Sequence, residues 1–176
     1  PLLEVSRKLY GMDENTIYLS PAPLYHAAPL RFNMSVMRLG GTSVIMEHFD
    51  PERYLELVEQ HRITHSQLVP TMFVRMLKLP EDVRARYDLS SLTTMGTGGA
   101  ATSGHLKEAL LELVPHLMIV DGYGASETGG MAFGPQVRGM DSFALAPAAG
   151  ATVLSEDRTR FLEPGDDEIG WTARTG

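Results

Sequence analysis

Runs that favour strands and runs that favour helices alternate along most of this chain, and that alternation limits its fold more than any other feature. Leu2 to Tyr10 has the spacing of a short helix stopped by Gly11, and Thr16 to Ser20 is β-branched and apolar enough for a strand. Leu30 to Leu39 returns to near-helical spacing and stops at Gly40 and Gly41, ahead of strand-like Thr42 to Met46. Asp50 followed by Pro51 is a helix start, because the carboxylate can accept an orphan N–H while proline needs none. That helix runs through Tyr54, Leu55 and Val58 to His61. Ser66 to Val69 then reads as a strand, Thr71 to Leu79 as a helix and Leu92 to Thr97 as a strand. Thr102 or Ser103 can cap an amphipathic helix from His105 to Val114, and the apolar run Leu117 to Val120 is a further strand. Strands separated by helices join by crossovers, so the expected class is α/β: a mostly parallel sheet covered by helices on both faces. From Met131 to Gly150 glycine, alanine and proline accumulate, and the remainder reads as β-hairpin material with an acidic turn from Glu163 to Glu168. The expected division is an α/β part at 1–135 and the start of a β-rich part at 136–176.

In a parallel sheet the carboxyl ends of the strands lie on one side, where ligands collect. Two glycine-rich segments fall at such ends. GTGGAATSG closes at Gly104, and GYGASETGG, Gly122 to Gly130, follows the strand that ends in Asp121. Both are read as loops that can line one pocket. Glycine lets backbone N–H groups approach a phosphate closely, and Ser126, Glu127 and Thr128 add two hydroxyls and a carboxylate. A carboxylate among phosphate-binding groups shares a cation, most often magnesium. On spacing alone, a tight turn facing water and a helix-entry turn without ligand fit these two segments as well.

The 176 residues are 43% hydrophobic and 21% charged, enough to bury a core and too apolar for a disordered chain. The absence of cysteine excludes a disulfide framework, a thiolate nucleophile and a thiolate metal site, and fits a reducing cytoplasm. A net charge of −7 argues against nucleic acid as partner, since phosphate backbones are met by lysine and arginine. No apolar stretch approaches the ~20 residues that cross a bilayer, and no basic-then-apolar leader opens the chain. A soluble, cytoplasmic protein is expected. His61 and His65 have the spacing of a helical zinc pair, but Ile63 and Thr64 end the helix between them. The ten methionines are read first as core filler, with an acyl tunnel as the alternative. Trp171 and Ile169 are read as packing a strand, and Asp166 to Glu168 as solvated surface.

SPAPLYHAAPL (Ser20 to Leu30), GTGGAATSG, DGYGASETGG (Asp121 to Gly130) and LEPGDDEIGWTARTG, in that order, resemble the adenylate-forming superfamily, and within it the acyl-CoA synthetases. The resemblance covers nearly the whole chain. It implies the middle of the large amino-terminal domain of enzymes that join a carboxylic acid to ATP as an acyl-adenylate and pass the acyl group to coenzyme A. By position in the YGxTE motif, it implies that Tyr123 borders adenine, Ser126 contacts the α-phosphate region and Glu127 holds Mg2+. Gly122 and Gly124 belong to the same nucleotide-binding stretch, and Asp121 takes the place from which a polar residue reaches the adenine amine. Serine stands at 126 where threonine is more frequent, which keeps the hydroxyl. GTGGA resembles the SGGAP segment, whose role of walling the adenine and acyl pocket falls to Gly98, Gly99, Ala100 and Ala101. Ala101 replaces the usual proline. His26, in the PLYH context, corresponds to an aromatic or histidine beside the substrate carboxylate and the coenzyme A entry path; a plain helix-capping histidine is the alternative.

The closing segment looks most like bacterial fatty-acid or lipid-type ligases. A related adenylating enzyme (an aryl-CoA ligase or nonribosomal-peptide adenylation domain) and a non-catalytic nucleotide-binding module remain as alternatives. The family's serine- and threonine-rich phosphate loop is expected upstream of Pro1, and its ribose-binding aspartate, hinge and catalytic lysine beyond Gly176. A fragment that cannot complete adenylation alone is therefore expected. Acyl length and oligomeric state are not readable from these residues.

Overall fold

A computed structural model of the chain describes residues 2–125, 128–140 and 144–175. Among them the first strand β1 (Ile17–Ser20), β2 (Thr42–Ile45), β3 (His65–Leu68), β4 (Thr94–Thr97) and β5 (Met118–Ala125) alternate with helices. These helices are α1 (Leu2–Tyr10), α2 (Ala27–Leu39), α3 (Pro51–His61), α4 (Pro70–Leu77), α5 (Glu81–Arg84) and α6 (Gly104–Leu113). The expected crossovers are present, with β2-β1-β3-β4-β5 pairing in parallel. Two antiparallel strands, β6 (Gly129–Gln136) and β7 (Ala146–Pro147), extend the same sheet beyond β5.

Local chemistry sets the helix ends. Asp50 Oδ1 accepts from Arg53 N at 2.9 Å and Pro51 opens α3, as the Asp-Pro pair predicts. The helix closes at Arg62, which turns to φ 51°, so that His61 ends α3 while His65 begins β3. α2 starts earlier than its apolar spacing indicates. Pro29 falls in its first turn, where a missing N–H costs nothing, so the helix reaches back to Ala27. Gly41 packs so closely after α2 that a Cβ there would sit 2.6 Å from Thr16 O.

Helices cover both faces, and each face has its own apolar cluster. On one side Leu19, Tyr54, Leu55, Val58, Ile63, Leu68, Phe73, Met76, Met95, Leu110 and Ile119 pack between the sheet and α3, α4 and α6. On the other, Tyr10, Met12, Tyr18, Val36, Leu39 and Val120 join α1 and α2 to the sheet. Strand alternation explains the division, since Tyr18 and Leu19, or Ile119 and Val120, must face opposite ways. Burying an aliphatic side chain of this size contributes ~2 kcal/mol, so the larger cluster dominates the hydrophobic stabilisation. Met12, Met46, Met76, Met95 and Met131 are buried filler, whereas Met34, Met37 and Met140 are exposed.

A separate three-stranded antiparallel sheet, β10 (Trp171–Arg174), β8 (Ala151–Leu154) and β9 (Phe161–Leu162), closes the chain. Trp171 lies on β10 but is exposed. Its Nε1 donates to Glu156 O and the Arg158 guanidinium sits over its ring, while Ile169 is 91% exposed and packs nothing. The acidic turn is ion-paired as well as solvated, with Arg160 bridging Asp166 and Glu168. Among the described residues no helix is long and apolar enough to cross a membrane.

Candidate functional site

Two glycine-bearing walls stand side by side at the carboxyl end of the sheet. Parallel register aligns Thr94 with Met118 and Thr97 with Asp121, so β4 and β5 deliver Gly98 and Gly122 to the same level. A Cβ on Gly98 would lie 3.1 Å from Gly122 O, and Gly99 has φ +80°, a conformation that glycine adopts without strain. Gly98, Gly99, Ala100 and Ala101 thus form a connection with nothing larger than a methyl group, and Gly99, Ala100 and Ala101 are exposed. The connection is closed at its base by Thr97 Oγ1 and Thr102 Oγ1, 2.9 Å apart and buried. Ser103, rather than Thr102, caps α6 by accepting from Leu106 N. The first turn of α6 therefore begins directly behind the GTGGA wall, with backbone N–H groups at the positive end of the helix dipole.

The second wall differs from its expected form. Asp121, Gly122, Tyr123, Gly124 and Ala125 do not open into a loop after the strand but continue β5, and Gly129 already belongs to β6. The physical reason is cross-strand pairing: Gly122 opposes Phe133, Tyr123 opposes Ala132, and a register shift after Tyr123 brings Gly124 against Gly130. A Cβ on Gly124 would come within 2.2 Å of Gly129 O, so the glycine there permits close strand approach instead of loop freedom. Tyr123 projects from this hairpin with 52% of its surface exposed. Ser126 and Glu127 lie outside the described residues. Arg174 of β10 reaches the start of β6, donating to Thr128 O and Gly130 O, and to Ala149 O on its own side.

Asp121 is the most constrained polar group in the wall. Its Oδ2 accepts from Lys107 Nζ of α6 at 2.5 Å, with the two side chains only 11% and 4% exposed. Its charge is also felt across the sheet, where burial first and Asp121 second push the Tyr10 phenol up to about 12. Lys107 escaped the sequence reading because lysine on an amphipathic helix is ordinarily a solvated residue. The available signal was its phase: Lys107 shares one face with Leu110, Leu111 and Val114, which are buried.

His26 sits at the amino end of α2, at the same end of the sheet and with β3 between its strand β1 and β4. Its side chain makes no capping hydrogen bond; the exposed ring tilts against Tyr25, with centroids 4.5 Å apart. Strand spacing puts β1 about 10 Å from β4. His65 is the opposite case, buried with Nε2 against Tyr10 O at 2.9 Å and Nδ1 against Thr64 Oγ1 at 2.8 Å. Desolvation holds it below the ordinary histidine value, against the opposing pull of the Tyr10 carbonyl and Asp13. Among the described residues no group of three or more His, Asp or Glu is placed to hold a metal ion.

Comparison with known proteins agrees with this architecture. Residues 3–168 match the family model of the AMP-binding enzymes. The chain is 30% identical over 152 residues to a 4-coumarate–CoA ligase of Humulus lupulus, covering 86% of this chain and 27% of that protein. It is likewise 30% identical over 158 residues to a medium-chain acyl-CoA ligase of Mycobacterium avium, covering 88% of this chain and 28% of that one. Among solved structures, a long-chain-fatty-acid-CoA ligase from Archaeoglobus fulgidus superposes with a TM-score of 0.80 at 22% identity, over 98% of this chain and 37% of that one. The chain thus spans little more than a quarter of the length of the curated relatives it matches. With the paired glycine walls on a parallel sheet and a family match over nearly all of its length, the chain belongs to the AMP-binding enzyme family.

Proposed function

We propose that the protein carrying this chain is an acid–CoA ligase, which activates a carboxylic acid with ATP to an acyl-adenylate, releases pyrophosphate and transfers the acyl group to coenzyme A. The observation that carries this reading is the close approach of the Gly98 and Gly122 backbones beside an exposed tyrosine ring. A flat base needs such a slot. Two backbones without side chains can take its edge while Tyr123 offers a stacking face.

In this reading Gly98, Gly99, Ala100 and Ala101 form one wall of the pocket, with Asp121, Gly122, Tyr123 and Gly124 as the other. Ser126 is placed at the α-phosphate and Glu127 with Mg2+, on motif position alone. When bound, the metal ion would offset negative charge shed onto the departing pyrophosphate. The chain's own contribution is positioning: the acid's carboxylate and the α-phosphorus must be held in line, with water kept from the adenylate. His26, between the acid and the coenzyme A approach, supplies a ring N–H for the substrate carboxylate. The acid is proposed to be an acyl acid of fatty or lipid type; the relatives named for 4-coumarate and for medium-chain acids make an aromatic acid the second reading. We place the phosphate loop, ribose-binding aspartate and catalytic lysine in the remainder of the protein, and the activity in the cytoplasm.

The test is pyrophosphate release and thioester formation by the whole protein with ATP, coenzyme A and a panel of short, medium, long and cinnamate-type acids. Acid-dependent pyrophosphate release followed by a coenzyme A thioester is the expected result. ATP turnover that no acid stimulates overturns the reading. The 176-residue chain alone is expected to release no pyrophosphate.

A further inference from the structure

We infer that Lys107 is a positioning residue for the nucleotide site, setting the distance and alignment between the two glycine walls through its ion pair with Asp121. This rests on the ligase reading above. Lys107 lies on the first turn of α6, directly behind the GTGGA connection, whereas Asp121 lies on β5 where the second wall begins. The two elements meet at the site through backbone pairing of β4 with β5 and through this side-chain bridge. Backbone pairing ends at Thr97 and Asp121. Beyond that level Gly98 to Thr102 have no ladder to hold them, and the connection is closed on itself by the Thr97–Thr102 hydroxyl contact. Lys107, one helical turn after the Ser103 cap, ties the helix that follows this closed connection to β5.

Burial gives the bridge its leverage. Two charges taken almost wholly out of water are strongly attracted, and removing one leaves the other buried and uncompensated. The ammonium therefore holds the Asp121 carboxylate in a single orientation and draws α6 toward β5. Withdrawal of the ammonium frees the carboxylate to swing toward water and releases α6 from β5. A neutral hydrogen-bonding side chain preserves part of the tie, and a longer cation preserves most of it.

The experiment uses the whole protein with K107R, K107Q and K107M, measuring thermal midpoint and the KM values for ATP and for the acid. The expected result is an ATP KM that rises in the order Arg, Gln, Met, reaching about 10-fold in the last, as for loss of other supporting groups behind a site. The acid's KM stays within about twofold, because the acid approaches from the β1 side. If the thermal midpoint falls in that order while the ATP KM does not move, the bridge is only structural and the inference is overturned. Should K107M fail to fold, K107R and K107Q decide by the same criterion. An unsubstituted protein that neither binds nor turns over ATP sinks the ligase reading, a result distinct from unsubstituted activity that Lys107 variants leave untouched.

Discussion

His65 shows what a single buried residue adds to both stability and pH response. Its Nε2 donates to the last carbonyl of α1, and its Nδ1 lies 2.8 Å from Thr64 Oγ1, whose own proton goes to Ile17 O. Its folded value is depressed below 6.5 by desolvation, so at mildly acid pH the unfolded chain binds the extra proton and the folded one does not. The stability it contributes is full above pH ~6.5 and is lost as pH falls through the depressed folded value. Urea midpoints measured between pH 7.5 and 5 should fall toward acid in the natural chain and flatten in His65→Gln; equal slopes would refute this. Gly124 makes a second point at the same scale. Alanine there drives a Cβ to 2.2 Å from Gly129 O, which is backbone and cannot rotate away. Gly124→Ala is expected to destabilise by about 1–3 kcal/mol, read from urea unfolding. Neither effect was legible in the sequence, because a histidine's burial and a glycine's opposite strand depend on pairing that local residues do not state.

Elements were far more legible than their edges. Asp50-Pro51 predicted the start of α3, and Tyr54, Leu55 and Val58 its buried face, since capping and periodicity are local properties. Asp50→Ala should cost about 1 kcal/mol through the lost bond to Arg53 N, whereas Asp50→Ser should keep most of it. Circular dichroism melts of the two variants check the difference. The start of α2 was hidden by Pro29, which reads as a breaker until it is seen in a first turn. The GYGASETGG segment misled for the converse reason: its glycines signal a loop locally, yet β6 supplies partners that hold residues 122–125 extended. At the site, the shared side of the two glycine walls followed from the strand–helix alternation that makes the sheet parallel, and the pairing of β4 with β5 sets them next to each other. Lys107 did not, because nothing in one helix's sequence says that an acid waits on the facing strand.

At the scale of the whole molecule, the second sheet acts on the site through Arg174. The guanidinium is anchored on β10, yet its hydrogen bonds end on Thr128 and Gly130, which follow Ser126 and Glu127 in sequence, and on Ala149 between β7 and β8. Each acceptor is a main-chain carbonyl, so the tie depends on the fork of the arginine and not on any partner side chain. These bonds are solvent-exposed and longer than 3 Å, so their combined effect on global stability is small, on the order of 1 kcal/mol. Their effect on the hairpin is larger in proportion, because a two-stranded ribbon beyond the sheet has little else to restrain it. Arg174→Met should therefore leave the thermal midpoint nearly unchanged while speeding amide exchange at residues 128–134. Residues of β1, β3 and β4, paired on both sides within the sheet, should exchange as before. Uniform acceleration across the sheet would show that Arg174 supports the fold in general. Acceleration confined to the hairpin would show that the second sheet's contribution to the second glycine wall is to hold its far edge still.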